Sequence, residues 1–242
     1  MSQFKRGKAL PTTPNILVNP QLGAHYLLEG RTLVLLTRHG QTDWNLFKRL
    51  QGRENIPLNQ AGHDQAEVLS RLFEKTLANG IRFSLVCTSP LSRARETAAY
   101  LTRTLALPDP VVLETLIERD YGSLSGLTLD ERRRLYPGGE KQAGNVESVP
   151  AAAARLLVAI DEMLTASDRR PVIGVTHGGL INAAFSRLSS GEIGTGKTLT
   201  VNCGVSCIAA GIGEPIPLAY NLQNEGAALY LTQLAEGGAD LG

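Results

Sequence analysis

The sequence has few cysteines, few aromatic residues and no long apolar run. Only three of its 242 residues are cysteines, Cys87, Cys203 and Cys207, and their spacing matches neither a zinc ribbon nor a redox motif. A small, odd number of cysteines favours a reducing compartment, so we expect a cytoplasmic protein. No stretch reaches the roughly 18 apolar residues of a membrane helix, and prolines and asparagines interrupt residues 1–30, so no signal peptide is expected.

The chain also has almost no excess charge. It carries 24 lysines and arginines against 23 acidic residues, for a net charge of +1. Nucleic acids and anionic membranes attract a positive field, so neither is expected as a partner. A composition of 43% hydrophobic and 19% charged residues excludes disorder. We predict one domain over residues 31–225, with an amino-terminal extension (1–30) and a carboxy-terminal tail (226–242).

Short apolar runs alternate with longer stretches of helical periodicity from residue 31 onward. Strands are predicted at Leu33–Thr37, Phe83–Thr88, Val111–Leu113 and Pro171–Thr176, with further strands or hairpin arms at Leu199–Val201, Val205–Ala209, Ile216–Tyr220 and Ala228–Leu231. Helices are predicted from Asn59 or Ala61 to Gly80, from the N-cap Ser89 and Pro90 to Leu105, from Thr128 to Pro137, over 150–166 and over Gly178–Leu188. This alternation predicts an α/β three-layer sandwich, with a mostly parallel central sheet and helices on both faces.

Chemically useful side chains follow each of the first four predicted strands. The residues in question are Arg38, His39 and Gly40; Ser89, Pro90 and Arg93; Glu118 and Arg119; and His177, Gly178 and Gly179. In parallel sheets the ligand crevice lies at the carboxyl ends of the strands. Two histidines, two or three arginines and a glutamate are therefore expected to meet at one sheet edge.

A histidine between arginines suits nucleophilic attack on phosphorus. Neighbouring positive charge disfavours the imidazolium, so His39 would keep a lone pair. Arg38 and Arg93 could each hold a non-bridging oxygen of a phosphoryl group and align phosphorus with the histidine nitrogen. These residues predict a phosphate ester as substrate.

Two further groups fit the same chemistry. His177 begins a predicted helix, and the first amides of that helix, at Gly178 and Gly179, would attract an anion. Glu118, if protonated beside a dianionic phosphate, could give its proton to the leaving alkoxide and then take one from water. Each residue alone has an ordinary structural explanation, but their shared position at strand ends favours a common site.

Four ordered segments resemble motifs of the histidine phosphatase superfamily, also called the phosphoglycerate-mutase-like family. They are LTRHGQTDWN from Leu36, TSPLSRARETA from Thr88, ERDYGSLSG from Glu118 and THGG from Thr176. The resemblance spans residues 33 to about 208. It implies a phosphoglycerate-mutase-like fold and an enzyme that needs no metal and no other cofactor.

The resemblance also implies individual roles. His39 would become phosphohistidine, Glu118 would be the proton donor, and Arg38, Arg93 and His177 would form the phosphate pocket. Arg95 lies about 200° round the helix from Arg93, so only one of them can face the crevice, and Arg93 is the one we choose.

Other residues are candidates for contact with the substrate. By the resemblance, Asn45 would bond the phosphoryl oxygens, Gln51 and Gly52 would line the substrate, and the Gly178 amide would lie at the anion. Arg119 and Tyr121 are candidates to contact a second anionic group, as on a phosphosugar or a phosphoglycerate-like ester. Arg132, Arg133 and Arg134 are assigned instead to a solvated helix face.

The predicted activity is hydrolysis of a small-molecule phosphate monoester, and the alternative is a phosphoglycerate mutase. A mutase must exclude water while it holds the phosphoryl group. Mutases of the family resemble one another in a long insertion between the acid motif and the second histidine. Here only 59 residues separate Glu118 from His177, which favours the phosphatase.

Two more distant alternatives remain. Residues 191–198, GEIGTGKT, match the P-loop pattern of nucleotide hydrolases, but that pattern requires a strand before it and a helix after it, and the predicted order is reversed. A non-catalytic binding protein would lack at least one essential group, and none is missing. The amino-terminal extension and the carboxy-terminal tail have no assigned role, and contact between copies of the chain, as in a homodimer, is one alternative for them.

Overall fold

The computed structural model describes residues 17–18, 30–78 and 80–239. Within these ranges the strands are β1 (Leu17–Val18), β2 (Thr32–Arg38), β3 (Leu85–Thr88), β4 (Val111–Val112), β5 (Val172–Thr176), β6 (Val205–Ala210) and β7 (Ile216–Leu222). The α-helices are α1 (Asp43–Leu46), α2 (Gln60–Ala78), α3 (Ser92–Thr104), α4 (Leu129–Leu135), α5 (Glu140–Ala143), α6 (Val149–Ala166), α7 (Gly178–Leu188) and α8 (Asn224–Ala239). Short 3-10 helices cover Glu114–Leu116 and Gly122–Leu124.

All the strands belong to one sheet, in the order β1-β7-β6-β2-β5-β3-β4. The pairs β2–β5, β5–β3 and β3–β4 are parallel, whereas β6 is antiparallel to both β2 and β7, and β1 is antiparallel to β7. Since β7 runs in the same direction as β2, only β6 and β1 are reversed. The predicted mostly parallel sheet is confirmed, and its parallel part consists of the four strands expected to carry the site.

Helices cover both faces of the sheet. On one face α2, α3 and α8 pack against Leu33 and Leu35 of β2, and on the other face α6 and α7 pack against Val34 and Leu36. The alternation follows from the two-residue period of a strand. Burying each such leucine stabilises the fold by about 1.5–3 kcal/mol. Because β2 has these residues on both faces, its sequence favours a helix layer on each side of the sheet.

Two predicted strands are wrong. Leu199–Val201 is not a strand, because the side chain of Asn221 bonds its backbone: the Val201 N–H donates to Oδ1 at 2.9 Å, and Nδ2 donates to the Leu199 carbonyl at 3.0 Å. Ala228–Leu231 lies inside α8. The buried residues of that helix are spaced three, one and three apart, as on a helical face, and are Ala227, Tyr230, Leu231 and Leu234.

The predicted start of the second major helix is also displaced. Helix α3 begins at Ser92 with Leu91 as N-cap, not at Ser89 and Pro90. The Ser89 hydroxyl lies 2.7 Å from Nε2 of His177 and accepts the N–H of Leu91, which precedes the first residue of the helix, so it bonds no amide within α3. In contrast, the predicted capping box of Thr128 and Glu131 is present at α4.

The ends of the chain are more integrated with the domain than the sequence suggested. Leu17 pairs with Tyr220, so two residues of the predicted extension join the edge of the sheet, while residues 1–16 and 19–29 lie outside the described residues. The predicted tail from Gly226 is not separate, because most of it forms α8 and packs on the core; residues 240–242 lie outside the described residues. No helix in the described part of the chain is both long and apolar enough to cross a membrane.

Candidate active site

Parallel pairing of β2 with β5 brings the two predicted histidines together. Arg38 and Thr176 end these strands in register, and the His39 N–H donates to the Thr176 carbonyl at 3.0 Å. The imidazole rings of His39 and His177, which follow the two strands, lie 5.1 Å apart between centroids. Both rings are buried. The predicted convergence of the histidines is therefore present.

His39 is held as a neutral imidazole with one defined tautomer. Nδ1 lies 2.6 Å from the Gly40 carbonyl, which can only accept, so Nδ1 carries the proton. Nε2 then keeps its lone pair and accepts a hydrogen bond from Nε of Arg93 at 3.2 Å. Burial, followed by the charges of Arg93 and Arg38, holds the pKa of His39 well below its ordinary value. A neutral imidazole with its lone pair at Nε2 meets the chemical requirement for a nucleophile at that atom.

Arg93 is the arginine that faces this histidine. It is fully buried, and its Nη1 and Nη2 donate to the carbonyls of Glu54 at 2.6 Å and Gly52 at 2.8 Å. Gly52 has φ +53°, a left-handed conformation that a glycine adopts without strain and that aims its carbonyl at the guanidinium. Burial lowers the pKa of Arg93 to about 10, so it remains a cation at neutral pH. Arg95 is exposed, so Arg93 is the one of the two that faces the histidine, as chosen from the sequence.

Arg38 provides a second cation beside the histidines. Its Nη1 donates to the Thr200 carbonyl at 2.7 Å, and its buried Nε has no hydrogen-bond partner in the part of the chain that the structure describes. Burial lowers the pKa of Arg38, while the nearby Glu118 carboxylate opposes that shift. A Cβ at Gly178 would lie 2.6 Å from Thr200 Oγ1 and 3.4 Å from Cδ of Arg38, so glycine is needed there for close packing.

His177 has a ring nitrogen, Nδ1, that bonds no group among the described residues. Its Nε2 lies 2.7 Å from Oγ of Ser89, and its buried Nδ1 has no partner. Because Ser89 Oγ accepts the Leu91 N–H, its own proton can go to Nε2 of His177, which leaves the ring proton on Nδ1. Burial, then the charges of Arg93, His39 and Arg38, lower the pKa of His177 well below its ordinary value.

The amino terminus of α7 holds an anion, but that anion is the Glu118 carboxylate and not a phosphate. The Gly179 N–H donates to Oε2 at 3.0 Å, while the N–H groups of Leu180 and Arg119 donate to Oε1 at 2.9 and 2.7 Å. The expectation that the Gly179 amide binds substrate is therefore wrong. A carboxylate has about four acceptor positions, two on each oxygen, so these amides leave one position open, on Oε2.

Arg119 and Tyr121 differ in their relation to this carboxylate. The guanidinium of Arg119 forms a two-pronged ion pair with Glu140, at 3.0 and 2.6 Å, so its charge is already neutralised within the protein. Tyr121 reaches the site: its hydroxyl fills the space that a Cβ at Gly179 would need. Burial and the Glu118 charge raise the pKa of Tyr121, which keeps its hydroxyl protonated.

The predicted solvated helix face is present. Arg132, Arg133 and Arg134 lie on α4, where Arg133 and Arg134 are exposed and Arg132 bonds the Thr128 carbonyl. None of these contacts reaches the histidines or Glu118.

Asn45 lies in the site through a partner that the sequence did not single out. Its Oδ1 accepts from the Thr42 N–H and from Nδ2 of Asn202, both at 3.2 Å. The same Nδ2 donates to the His39 carbonyl at 3.0 Å, so Asn202 joins Asn45 to His39. Asn202 begins the turn before β6, and no motif named in the sequence analysis includes it. Gln51, which precedes Gly52, is buried. Its Oε1 bonds no other described residue.

Residues 191–198 do not form a P-loop. They follow helix α7, and residues 199–204 contain no helix. The N–H groups of Lys197 and Thr198 donate to the Gly194 carbonyl, and the Gly194 N–H donates to Oγ1 of Thr198. Amides used inside the loop cannot cradle a nucleotide phosphate.

The buried neutral histidines predict a loss of stability in acid. The pKa values of His39 and His177 are lowered in the folded protein, whereas the unfolded chain takes up protons near pH 6.5. The stabilisation is complete above pH 6.5, and below it the free energy of unfolding should fall by up to about 1.4 kcal/mol per pH unit for each histidine. Urea unfolding between about pH 7.5 and 5.5 measures this slope.

A variant separates the histidines from other titrating groups. His177→Gln keeps a side chain that can bond Ser89 but removes one of the two ionisable rings. Its unfolding free energy should depend on pH with about half the wild-type slope just below pH 6.5. An unchanged slope would show that His177 is not one of the groups responsible.

The family of the chain is evident from comparison with known proteins. The sequence model for the histidine phosphatase superfamily (branch 1) matches residues 34–223. The phosphatase PhoE of Bacillus subtilis, described as uncharacterized, is 34% identical over 177 residues, which cover 73% of this chain and 88% of that protein. A metal-independent phosphoserine phosphatase of Arabidopsis thaliana is 30% identical over 184 residues, 72% of this chain and 75% of its own.

Mutases match over a shorter stretch. The 2,3-bisphosphoglycerate-dependent phosphoglycerate mutase of Mesorhizobium japonicum is 39% identical over 114 residues, which are 46% of this chain and 52% of the mutase. Among solved structures, a mycobacterial glucosyl-3-phosphoglycerate phosphatase complexed with VO3 has a TM-score of 0.67 at 26% identity, covering 79% of this chain and all of that one. The chain belongs to branch 1 of the histidine phosphatase superfamily, whose phosphatases and mutases act on phosphate esters.

Proposed function

We propose that this protein hydrolyses phosphate monoesters without a metal, through a phosphohistidine at Nε2 of His39. The observation that carries this proposal is the fixed tautomer of His39, whose Nδ1–H is held by the Gly40 carbonyl at 2.6 Å while Nε2 faces Arg93. A lone pair directed into a cluster of arginine and histidine donors suits attack on a phosphorus whose oxygens those donors hold.

In the first step the phosphoryl group moves from the ester to His39. The P–N bond forms at Nε2 as the P–O bond to the leaving group breaks. The Arg93 Nε–H that bonds Nε2 of His39 is released when that lone pair attacks phosphorus. Two N–H groups of Arg93 stay on the Glu54 and Gly52 carbonyls, so three serve phosphoryl oxygens, together with Nε of Arg38 and Nδ1 of His177, which have no partner among the described residues. These donors stabilise the negative charge on the phosphoryl oxygens, as a metal ion does in other phosphatases.

Glu118 completes both halves of the reaction. Protonated in the enzyme–substrate complex, it gives its proton from Oε2, the oxygen with the open position, to the departing alkoxide. The resulting carboxylate then takes a proton from the water that attacks phosphorus. The P–N bond breaks, inorganic phosphate leaves, and His39 returns to its neutral form.

The substrate is best described as a small ester with no second anionic group. A phosphoglycerate-like ester would need a free cation for its other acidic group. The arginines beside the Glu118 segment are already paired, Arg119 with Glu140, and Arg53 and Arg155 with Glu147. This pairing supports a phosphatase. The second candidate, a phosphoglycerate mutase, is favoured by the 39% identity to a mutase, over about half of each chain.

A turnover screen with a chelator present tests this function. Hydrolysis of phosphate monoesters should be unchanged by EDTA, because side chains alone hold the phosphoryl group. With 3-phosphoglycerate, isomerisation should be at least about tenfold slower than hydrolysis of the best ester, a difference of about 1.4 kcal/mol or more in activation free energy. Released phosphate and the two phosphoglycerate isomers are measured in parallel.

Three outcomes separate the alternatives. Isomerisation faster than hydrolysis would identify a mutase. Strict dependence on magnesium would contradict the proposed hydrolysis without a metal. Absence of turnover on every ester would favour a binding protein.

A further inference from the structure

Arg155 on α6 is bound to the segment that carries Glu118. Its Nη1 donates to the carbonyls of Thr115 at 2.9 Å and Ile117 at 2.6 Å, and its Nη2 reaches the Glu118 carbonyl at 3.4 Å. The backbone groups that it contacts thus lie within four residues that end at the proposed proton donor.

Glu147 fixes the orientation of this arginine. Nε and Nη2 of Arg155 form a two-pronged ion pair with the Glu147 carboxylate, at 2.9 and 2.7 Å. The two side chains are only 18% and 14% exposed, so solvent screens the pair weakly. Burial would raise the pKa of Glu147, but the Arg155 and Asp120 hydrogen bonds outweigh it and keep the group a carboxylate.

The same glutamate bonds the chain on the far side of Glu118. The Asp120 N–H donates to the Glu147 carboxylate at 3.2 Å, the Glu147 N–H donates to the Asp120 carbonyl at 2.9 Å, and Nε of Arg119 donates to the Glu147 carbonyl at 2.7 Å. Arg155 therefore holds the residues before Glu118, and Glu147 holds the residues after it.

All five N–H groups of Arg155 are used in these contacts: one at Nε, two at Nη1 and two at Nη2. None remains to bind a substrate. This full use distinguishes Arg155 from Arg38 and Arg93, which keep donors for an anion, and it indicates a role that is exerted entirely through the backbone it holds.

We propose that Arg155, locked by Glu147, is a positioning residue that sets the Glu118 carboxyl against the leaving oxygen of the ester. This inference rests on the proposed role of Glu118 as proton donor. Proton transfer needs a heavy-atom distance of about 2.6–3.2 Å, and a displacement of about 1 Å can cost roughly 100-fold in rate. The three amides orient the carboxyl group, and the arginine–glutamate pair fixes the backbone from which it extends.

The choice of leaving group tests this proposal. A dinitrophenolate departs without a proton, whereas an alkoxide needs one, so a misplaced Glu118 slows only alkyl esters. For Arg155→Lys, which keeps the charge but loses the fork, kcat/KM should fall about 10- to 100-fold on an alkyl phosphate and less than about threefold on 2,4-dinitrophenyl phosphate. Glu147→Gln should shift the ratio in the same direction.

A matched control exists in Arg49, which also joins a carbonyl and a carboxylate, those of Gly126 and Glu131, but whose side chain has no hydrogen bond to residues 115–120, the residues that Arg155 and Glu147 hold. Arg49→Lys should leave the ratio of the two esters unchanged. Thermal unfolding of each variant shows whether it is folded.

Each outcome is decisive. A loss that is equal on both esters, or no loss, in folded Arg155→Lys and Glu147→Gln overturns the positioning role. Failure of both variants to fold also overturns it, because the pair would then support the domain as a whole. If Glu118→Gln itself does not discriminate between the esters, the proposed proton donor is wrong, which is a separate result.

Discussion

Replacement of His39 by alanine should lower the turnover of phosphate monoesters by about 10⁴-fold or more and remove all protein-bound phosphate. The imidazole Nε2 is the only atom proposed to bond phosphorus, so its loss removes the covalent pathway itself. Arg38, Arg93 and His177 would still bind the ester, so KM should change far less than kcat. Acid-labile phosphate per chain, measured after mixing with an activated ester, reports the intermediate directly.

Two further variants separate chemistry from packing. His39→Asn retains an amide that can donate to the Gly40 carbonyl, so it should fold well and yet lose the same activity as alanine. His63→Ala removes another imidazole, which contacts Tyr100 and Glu96, and should retain near wild-type turnover. Phosphate still bound to the His39 variants, or normal turnover by them, would contradict the mechanism.

The sequence predicted the site well where local pattern and sheet topology were sufficient. Buried apolar runs identified β2 and β5, and parallel pairing then required the residues after them to meet. His39 and His177 do meet, and Arg93 rather than Arg95 faces them because the two differ by more than half a turn of α3. These features depend only on the periods of strands and helices.

The predictions from sequence were wrong where a side chain from a distant part of the chain replaced an expected local interaction. Asn221 bonds the backbone of 199–201 from 20 or more residues away, so an apolar run that resembles a strand has no strand partner. Ser89 has the composition and position of an N-cap, but its hydroxyl is used by His177, which is 88 residues distant. Local propensity contains no information about such partners.

The same limitation explains the two errors at the acid. The amides of Gly178 and Gly179 were predicted to bind a substrate anion, but 61 residues separate Gly179 from Glu118, and only the folded chain shows that the Glu118 carboxylate takes the Gly179 amide. Likewise, Arg119 looked free for a second anion until the fold placed Glu140 against it. Buried charged groups are paired within the protein, so only the donors and acceptors that stay unpaired are available to a substrate.

The second large effect is expected at Glu118, whose Oε2 keeps one position that no backbone amide occupies. Glu118→Gln removes the proton donor but keeps the shape of the side chain, with its amide oxygen able to take the place of Oε1 before Leu180 and Arg119. We expect kcat/KM for an alkyl phosphate to fall about 10²- to 10⁴-fold, as for loss of a general acid, which corresponds to roughly 3–5 kcal/mol of transition-state stabilisation. With 2,4-dinitrophenyl phosphate the loss in kcat/KM should stay below about tenfold, because that leaving group needs no proton.

Turnover of the activated ester should nevertheless be slow, because the second half of the reaction also needs Glu118. The variant should release close to one equivalent of dinitrophenolate in a burst and then hydrolyse its phosphohistidine slowly, so that protein-bound phosphate accumulates. Glu96→Gln is the matched control. The Glu96 carboxylate on α3 also accepts a backbone N–H, that of Leu58, but it does not bond the amides that hold Glu118. This variant should show neither the burst nor the accumulation of protein-bound phosphate. A Glu118→Gln enzyme without a burst, and equally slow on both esters, would mean that this carboxylate organises α7 and transfers no proton, since only a proton-transfer role makes the loss depend on the leaving group.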